Sequence, residues 1–342
     1  MIGRAVLAGL LALCVSSPSL GQTVDGPKVA WKLAVWGKPR ANTKAMDALK
    51  AHVESRSGGK FTINIGYEAY GGPKENLDLI KVDAVDSALI CGSYYPDKLP
   101  GYGVMDLPFL PLGDFDHQMR THELMHKHPA VQKEFAGWNA RLWLSSVLPQ
   151  YEFLGKGKPP KTIEDFRGMR VRAIGGLGDA MRKLGATPTS MDATEVYTAL
   201  ERGTVDAVSF PFTFAHGAYK TYEVSKWATE NMSPGTVACP IVFNASSYAK
   251  LPPQYQQLTE EAKPLAYAAI KQAYAEADTK FIPEFKKRGI TFIKFTEAEL
   301  KEFRKVAAEP VWEEWVQKRE AQGVPGRELL KALLEAAKAT SS

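Results

Sequence analysis

Residues 166–209 read FRGMRVRAIGGLGDAMRKLGATPTSMDATEVYTALERGTVDAVS, and this stretch decides the fold class. Apolar residues alternate over residues 169–172, which predicts a short strand, and a glycine-rich turn and a helix over residues 179–184 follow it. Asp192, with a glutamate three residues later, predicts a capping box that opens a second helix, which ends at Gly203 before another strand. Strands and helices that alternate this closely predict an α/β protein with a parallel sheet.

Two strand ends in this stretch carry the strongest candidates for ligand binding. Ligands of open α/β sheets bind outside the carboxyl ends of the strands, where Arg172 and the pair Ser209 and Phe210 stand. A guanidinium group meets a carboxylate with two parallel hydrogen bonds. Arg170 alternates with Arg172 on the strand, so its side chain is expected on the opposite face. The sequence therefore predicts a carboxylate site at Arg172.

At these residues the chain resembles the extracytoplasmic solute receptors of tripartite ATP-independent periplasmic (TRAP) transporters, of the C4-dicarboxylate-receptor type. The family pattern stands here as EDFRGMRVRAIGG and LGATPTSMDATEVYTALERGTVDAV, with HVESRSGGKFTINIGYEAYGG and VDAVDSALICGSYYPDKLPGYGVMDLPFL earlier in the chain. The resemblance implies a two-lobed periplasmic-binding-protein fold, type II-like, with a long helix that bridges both lobes. It also implies that the arginine at position 172 binds the carboxylate of an organic acid.

Strand patterns in the two halves, together with the resemblance, predict the lobe boundaries. We expect residues 27–149 plus 237–275 to form the first lobe. Residues 150–236 plus 276–335 are expected to form the second lobe, to which the last helices return. The long helical stretch between them contains two prolines, which predict kinks.

The amino terminus and the composition agree with an exported receptor. Arg4, an apolar run over residues 5–15 and small residues up to position 21 predict a signal peptide of residues 1–21, and hence a periplasmic protein; the run is too short to span a bilayer. Cys91 and Cys239 could pair in that compartment or remain free thiols. The net charge of +5 is spread among acidic residues, so nucleic acid is not an expected partner.

The resemblance implies the partners and the reaction class. The protein would bind a small organic acid between its lobes and deliver it to the small and large membrane subunits of a TRAP permease, without being embedded in the membrane itself. It would be a monomer, would need no cofactor and would not be an enzyme.

Phe210 indicates the class of acid. Many family members have an asparagine at this strand end, whereas this chain reads VDAVSF. An aromatic side chain there favours an aromatic or hydrophobic acid over a small polar dicarboxylate. No second cation accompanies Tyr151, near which some members place another arginine, so one carboxylate is expected. The alternative is that Phe210 belongs to the core.

Further candidates follow from the same strand-end rule. Trp36 follows the first strand, Tyr94 and Tyr95 follow the third, and Asn244 lies on a strand that returns toward the cleft. Each aromatic residue could equally belong to the core.

One motif suggests an enzyme instead. Residues 122–126 read HELMH, which matches the H-E-x-x-H pattern of zinc hydrolases. The pattern is short, the helix ends directly after it, and no third ligand follows at a familiar spacing. We therefore expect no catalytic metal, and keep a secreted zinc hydrolase as the rival hypothesis.

Overall fold

Two β-sheets, one in each lobe, organise residues 23–341, which the computed structural model describes. The first contains Val29–Val35 (β1), Phe61–Tyr67 (β2), Ser87–Leu89 (β3), Ala140–Ser146 (β4) and, from much later in the chain, Cys239–Asn244 (β10). The second contains Tyr151–Gly155 (β5), Arg170–Arg172 (β6), Thr187–Thr189 (β7), Ala207–Pro211 (β8), Trp227–Thr229 (β9) and Thr291–Ile293 (β11). The strand orders are β2-β1-β3-β10-β4 and β11-β9-β5-β8-β6-β7. The predicted two-lobed α/β fold is confirmed.

Helices cover both sheets. They are Lys44–Arg56 (α1), Asn76–Lys81 (α2), Phe115–His126 (α3), Pro129–Ala136 (α4), Gly175–Lys183 (α5), Val196–Glu201 (α6), Phe214–Ala218 (α7), Ala245–Ala249 (α8), Pro253–Lys287 (α9), Glu297–Ala307 (α10), Glu309–Ala321 (α11) and Gly326–Ala339 (α12). None of the helices within residues 23–341 combines the length and apolar character needed to cross a membrane. The predicted signal peptide lies outside the described residues.

The 35-residue helix α9 connects the lobes. In the first lobe its Tyr255 stacks on Phe61, with ring centroids 5.4 Å apart. In the second lobe its Phe285 meets Phe212 at 6.1 Å. The helix continues through both internal prolines, where the sequence predicted kinks.

The last helix contacts elements of both predicted lobes. The imidazole Nε2 of His117 on α3 lies 2.7 Å from the carbonyl of Ala337 on α12, and Thr121 bonds Thr340. Leu329 and Leu333 are buried on the inner face of α12. The apolar face of α12 therefore covers α3 of the first lobe, although α12 also packs on α11 and was expected in the second lobe. The predicted boundaries remain a prediction, and the strands of each sheet fall within them.

The stretch that decided the fold class forms the predicted parallel pairs. Strand β6 pairs in parallel with β7 and with β8, and the capping box of Asp192 is present. The glycine-rich segment is not a turn, since α5 already begins at Gly175. A Cβ atom at Gly176 would collide with the backbone oxygen of Asp106, so glycine lets this helix approach the first lobe closely.

A disulfide joins Cys91, which follows β3, to Cys239 at the start of β10. Strand β10 lies directly beside β3 in the first sheet and runs antiparallel to it. The alternative of two free thiols is therefore wrong.

Candidate functional site

A narrow cavity lies between the two sheets, at the edge where β1, β3, β6 and β8 end. Its volume is about 40 Å³, far below the several hundred Å³ typical of ligand pockets, so this arrangement of the lobes is nearly closed over the cavity. The side chains that matter most for the chemistry of the cavity are those of Trp36, Arg40, Asn42, Tyr94, Tyr151, Arg172, Phe210 and Tyr219.

Arg172 is fully buried at the end of β6. Its guanidinium donates to the carbonyl of Ser209 at 2.9 Å, to that of Met191 at 3.2 Å and to the hydroxyl of Tyr94 at 3.0 Å. No carboxylate within residues 23–341 forms an ion pair with it, whereas the exposed Arg170 pairs with Asp206. A buried cation held only by neutral acceptors is a strong attractor for an anion.

Six side chains around the cavity form a closed series of contacts, which we call the interlobe ring. Its members are Trp36, Arg40 and Tyr94 of the first lobe, and Arg172, Phe210 and Tyr219 of the second.

The half of the ring in the second lobe is a stack. The guanidinium carbon of Arg172 lies 4.6 Å from the ring centroid of Phe210. The Phe210 ring in turn stacks on Tyr219 at 5.1 Å, with an interplanar angle of 13°. The Arg40 guanidinium carbon, 5.7 Å from the centroid of Tyr219, links this stack to the first lobe.

The first lobe closes the ring. Arg40 lies 5.5 Å from the centroid of Trp36, and Trp36 meets Tyr94 edge-on at 6.0 Å. The hydroxyl of Tyr94 then accepts the hydrogen bond from Arg172. Burial raises the pKa of the Tyr94 phenol, so this group is neutral at physiological pH. The ring thus has aromatic walls and two cations on opposite sides.

The structure brings Trp36, Tyr94, Arg172 and Phe210, which the strand-end rule selected, together with Tyr151 from the junction of the lobes. Tyr151 is buried in the lining, and burial raises its pKa well above the ordinary tyrosine value.

Three of the predicted residues lie outside the lining. Tyr95 turns into the first lobe, where its hydroxyl accepts from the backbone N–H of Leu77 at 3.2 Å. Ser209 donates to the carbonyl of Arg172 at 3.0 Å, so its hydroxyl orients the arginine backbone.

Asn244 is the third predicted residue that lies outside the lining of the cavity. Its amide donates to Ile80 and Asp83, and its oxygen caps α8. Because β10 runs antiparallel to β3, its carboxyl end lies at the opposite edge of the sheet from the cleft. The placement of Asn244 in the site is therefore corrected.

The sequence matches the family described as "Bacterial extracellular solute-binding protein, family 7" over residues 34–319. The chain belongs to this family. Its members are solute-binding proteins rather than enzymes, and the predicted membership among TRAP solute receptors of the C4-dicarboxylate-receptor type is confirmed.

Relatives cover most of the chain. The protein YiiZ of Salmonella typhimurium is 27% identical over 284 residues, which cover 79% of this chain and 81% of YiiZ. A TRAP solute-binding protein from Rhodoferax ferrireducens, solved with copurified benzoate, superposes with a TM-score of 0.82 at 21% identity, covering 92% of this chain and 99% of that one. A marine metagenome TRAP solute-binding protein specific for aromatic acid ligands was solved with 3-hydroxybenzoate. It superposes with a TM-score of 0.81 at 20% identity, covering 93% of this chain and 100% of that one. At these identities the two structures show the common fold.

The histidines of the H-E-x-x-H segment are part of the core of this solute-binding protein. His122 bonds the hydroxyl of Ser145 at 2.6 Å, and His126 bonds that of Tyr102 at 3.0 Å. Burial lowers the pKa of His122 to about 4 and that of His126 to about 3, so both imidazoles are neutral. Among residues 23–341 no cluster of histidine, cysteine or acidic side chains could hold a metal ion.

Among the lining residues that sequence reasoning missed, three carry hydrogen-bonding side chains, namely Arg40, Asn42 and Tyr219. Arg40 and Asn42 lie in the loop after β1, and Tyr219 directly follows α7. The rule for strand ends located Trp36, and extending it by a few residues along the same loop would have included Arg40 and Asn42. Nothing in the sequence indicated Tyr219, which reaches the cavity by stacking on Phe210.

Asp106 is a buried acid where the first lobe meets α5. Its carboxylate accepts hydrogen bonds from the hydroxyl of Ser93 and, at 2.6 Å, from the backbone N–H of Ala238. Burial raises the pKa of this carboxyl from 3.8 to about 7. The folded state therefore prefers the protonated acid. The contribution of Asp106 to the stability of the fold is present below pH 4 and is lost as the pH rises through 7.

We expect Asp106→Asn to remove this pH dependence. The free energy of unfolding of the wild type relative to the variant should fall by up to about 4 kcal/mol between pH 4 and pH 8. Urea unfolding of both proteins across this range measures the difference. The comparison is needed because the buried histidines, whose pKa values are lowered, act in the opposite direction. A difference that stays constant with pH would contradict the assignment.

Proposed function

We propose that this protein is the periplasmic receptor for an aromatic or hydrophobic organic acid with one carboxylate, which it delivers to the small and large membrane subunits of a TRAP permease. The observation that carries the proposal is Arg172, a buried guanidinium with no acidic partner in the described chain, set within aromatic walls. TRAP solute receptors bind organic acids in the periplasm, so the coarse function follows from the family.

Aromatic walls support the choice of ligand class. Trp36, Tyr94 and Phe210 offer ring faces and edges around Arg172, and burial of an apolar ligand body against them is worth roughly 25 cal/mol per Å². A polar ligand group facing Phe210 would instead be buried unsatisfied, at a cost of about 1–3 kcal/mol. The aromatic acids bound by the two structural relatives agree with this class.

Contacts between the lobes support a closing motion around the ligand. Tyr94 of the first lobe bonds Arg172 of the second, and Lys74 forms an ion pair with Asp192 at 2.8 Å. A ligand held by both halves of the interlobe ring stabilises the closed state by its differential affinity for it. Residues 27–149 plus 237–275 and 150–236 plus 276–335 are the units that we propose move relative to one another, with α12 carried by the first.

A thermal-shift screen tests the ligand class. We expect benzoate-type and branched apolar monocarboxylates to raise the melting temperature more than succinate, malate or sugar acids. Phe210→Asn should weaken the binding of an aromatic acid, with a dissociation constant roughly three- to tenfold higher, because the ring contact and its apolar area are lost.

Phe212→Asn is the matched control, since this side chain lies outside the cavity and packs on Phe285. It should leave the affinity of the folded protein unchanged. A larger melting shift with succinate than with any aromatic acid would overturn the proposed ligand class while leaving the receptor function intact.

A further inference from the structure

The cavity has a second polar end, at Arg40, on the opposite side of the interlobe ring from Arg172. We propose that this end selects aromatic acids that carry a hydroxyl group away from the carboxylate. The inference rests on the proposed function, because it assumes that Arg172 holds the carboxylate and the aromatic walls hold the ring.

Arg40 is a buried cation with unused hydrogen-bond donors. Only 9% of its surface is exposed, and its Nη1 donates to the carbonyls of Trp36 at 2.8 Å and Lys38 at 3.0 Å. A guanidinium has five N–H groups, and these two bonds use only Nη1. As far as residues 23–341 are concerned, no carboxylate forms an ion pair with Arg40. Its Nε and Nη2 donors are therefore available to a ligand.

Two unpaired polar atoms belong to residues that line the same cavity as Arg40. Asn42 is 4% exposed and lines the cavity, and its Oδ1 is buried with no hydrogen-bond partner in the described part of the chain. The hydroxyl of Tyr219 is also buried, and it has no hydrogen-bond partner within residues 23–341. Buried polar atoms are nearly always bonded, so these two lining atoms are free to form hydrogen bonds with a polar group of a ligand.

A hydroxyl fits this set of partners better than other substituents. Its oxygen accepts from Arg40, and its hydrogen can be donated to the Asn42 oxygen. A second carboxylate could only accept, so it would leave the Asn42 oxygen unpaired, and a methyl group would pair with none of the three. The contacts of the ring lead from Arg172 to Arg40 through two intervening side chains in either direction, so the hydroxyl must stand well away from the carboxylate.

Calorimetry with matched acids tests the inference on the purified mature protein. The titrants are benzoate, 3-hydroxybenzoate, 4-hydroxybenzoate, isophthalate and terephthalate. We expect the better hydroxybenzoate to bind at least about tenfold more tightly than benzoate, since a site that pairs a ligand hydroxyl discriminates strongly against the analogue without it. Asn42→Ala and Arg40→Met should each reduce this ratio of dissociation constants to near one.

Lys38→Met is the matched control, because it removes a cation from the same loop whose side chain is exposed. It should preserve the ratio. If Arg40→Met fails to fold, the neutral Asn42→Ala variant still decides the matter. Equal binding of benzoate and both hydroxybenzoates would overturn the inference and leave the proposed function standing. Tighter binding of a dicarboxylate would overturn it in favour of a second carboxylate at Arg40, and no binding of any aromatic acid would overturn both the inference and the aromatic ligand class on which it rests.

Discussion

Arg172→Ala is expected to abolish binding of the organic acid. Removing one partner of a buried, hydrogen-bonded charge pair costs about 2–5 kcal/mol, which raises Kd roughly 30-fold to several thousand-fold. The ligand carboxylate would then lose the cation that lies beside the Tyr94 phenol, in a buried cavity. Calorimetry with the best acid from the screen measures the loss. Arg172→Lys should also bind weakly, because an ammonium cannot reproduce the planar fork that bonds Ser209, Met191 and Tyr94.

The exposed neighbour supplies the control for this experiment. Arg170→Ala removes the same side chain two residues earlier on β6, where it pairs with Asp206 on the outer face. Its affinity should match that of the wild type. Circular dichroism confirms that each variant is folded. Affinity close to the wild-type value in folded Arg172→Ala would remove this arginine from the site.

Loss of the Cys91–Cys239 disulfide is expected to have the largest effect on stability. The bridge closes a loop of 148 residues, which contains most of the second lobe, and the loop-closure entropy predicts a loss of about 5 kcal/mol in the free energy of unfolding. Cys91→Ala with Cys239→Ala tests this in urea denaturation. The bridge stands where β10 joins β3, so the unbridged protein must pair these strands at full entropic cost.

Reduction of the wild type provides the control for the disulfide. Dithiothreitol should lower the unfolding midpoint of the wild type toward that of the double variant and leave the variant unchanged. Equal midpoints of the oxidised wild type and the double variant would show that the bridge contributes nothing to stability.

The sequence alone determined the α/β class, the parallel arrangement of β6, β7 and β8, and the central role expected of Arg172. These features depend on local patterns, namely the alternation of apolar residues, capping boxes and the position of a residue at a strand end. The same rule selected Trp36, Tyr94 and Phe210, which line the cavity because each follows or ends a strand of the predicted type.

The tertiary structure decided the features that depend on partners distant in the chain. Asn244 lies away from the site because β10 runs antiparallel to β3. Tyr95 lies outside the lining because its hydroxyl accepts a hydrogen bond from the backbone of α2. Arg40 and Tyr219 line the site because two loops from different lobes meet directly there, although 179 positions separate the two residues in the sequence. Local patterns fix which face of a strand a side chain takes, whereas the direction of a returning strand and the meeting of two loops are set by packing over the whole chain.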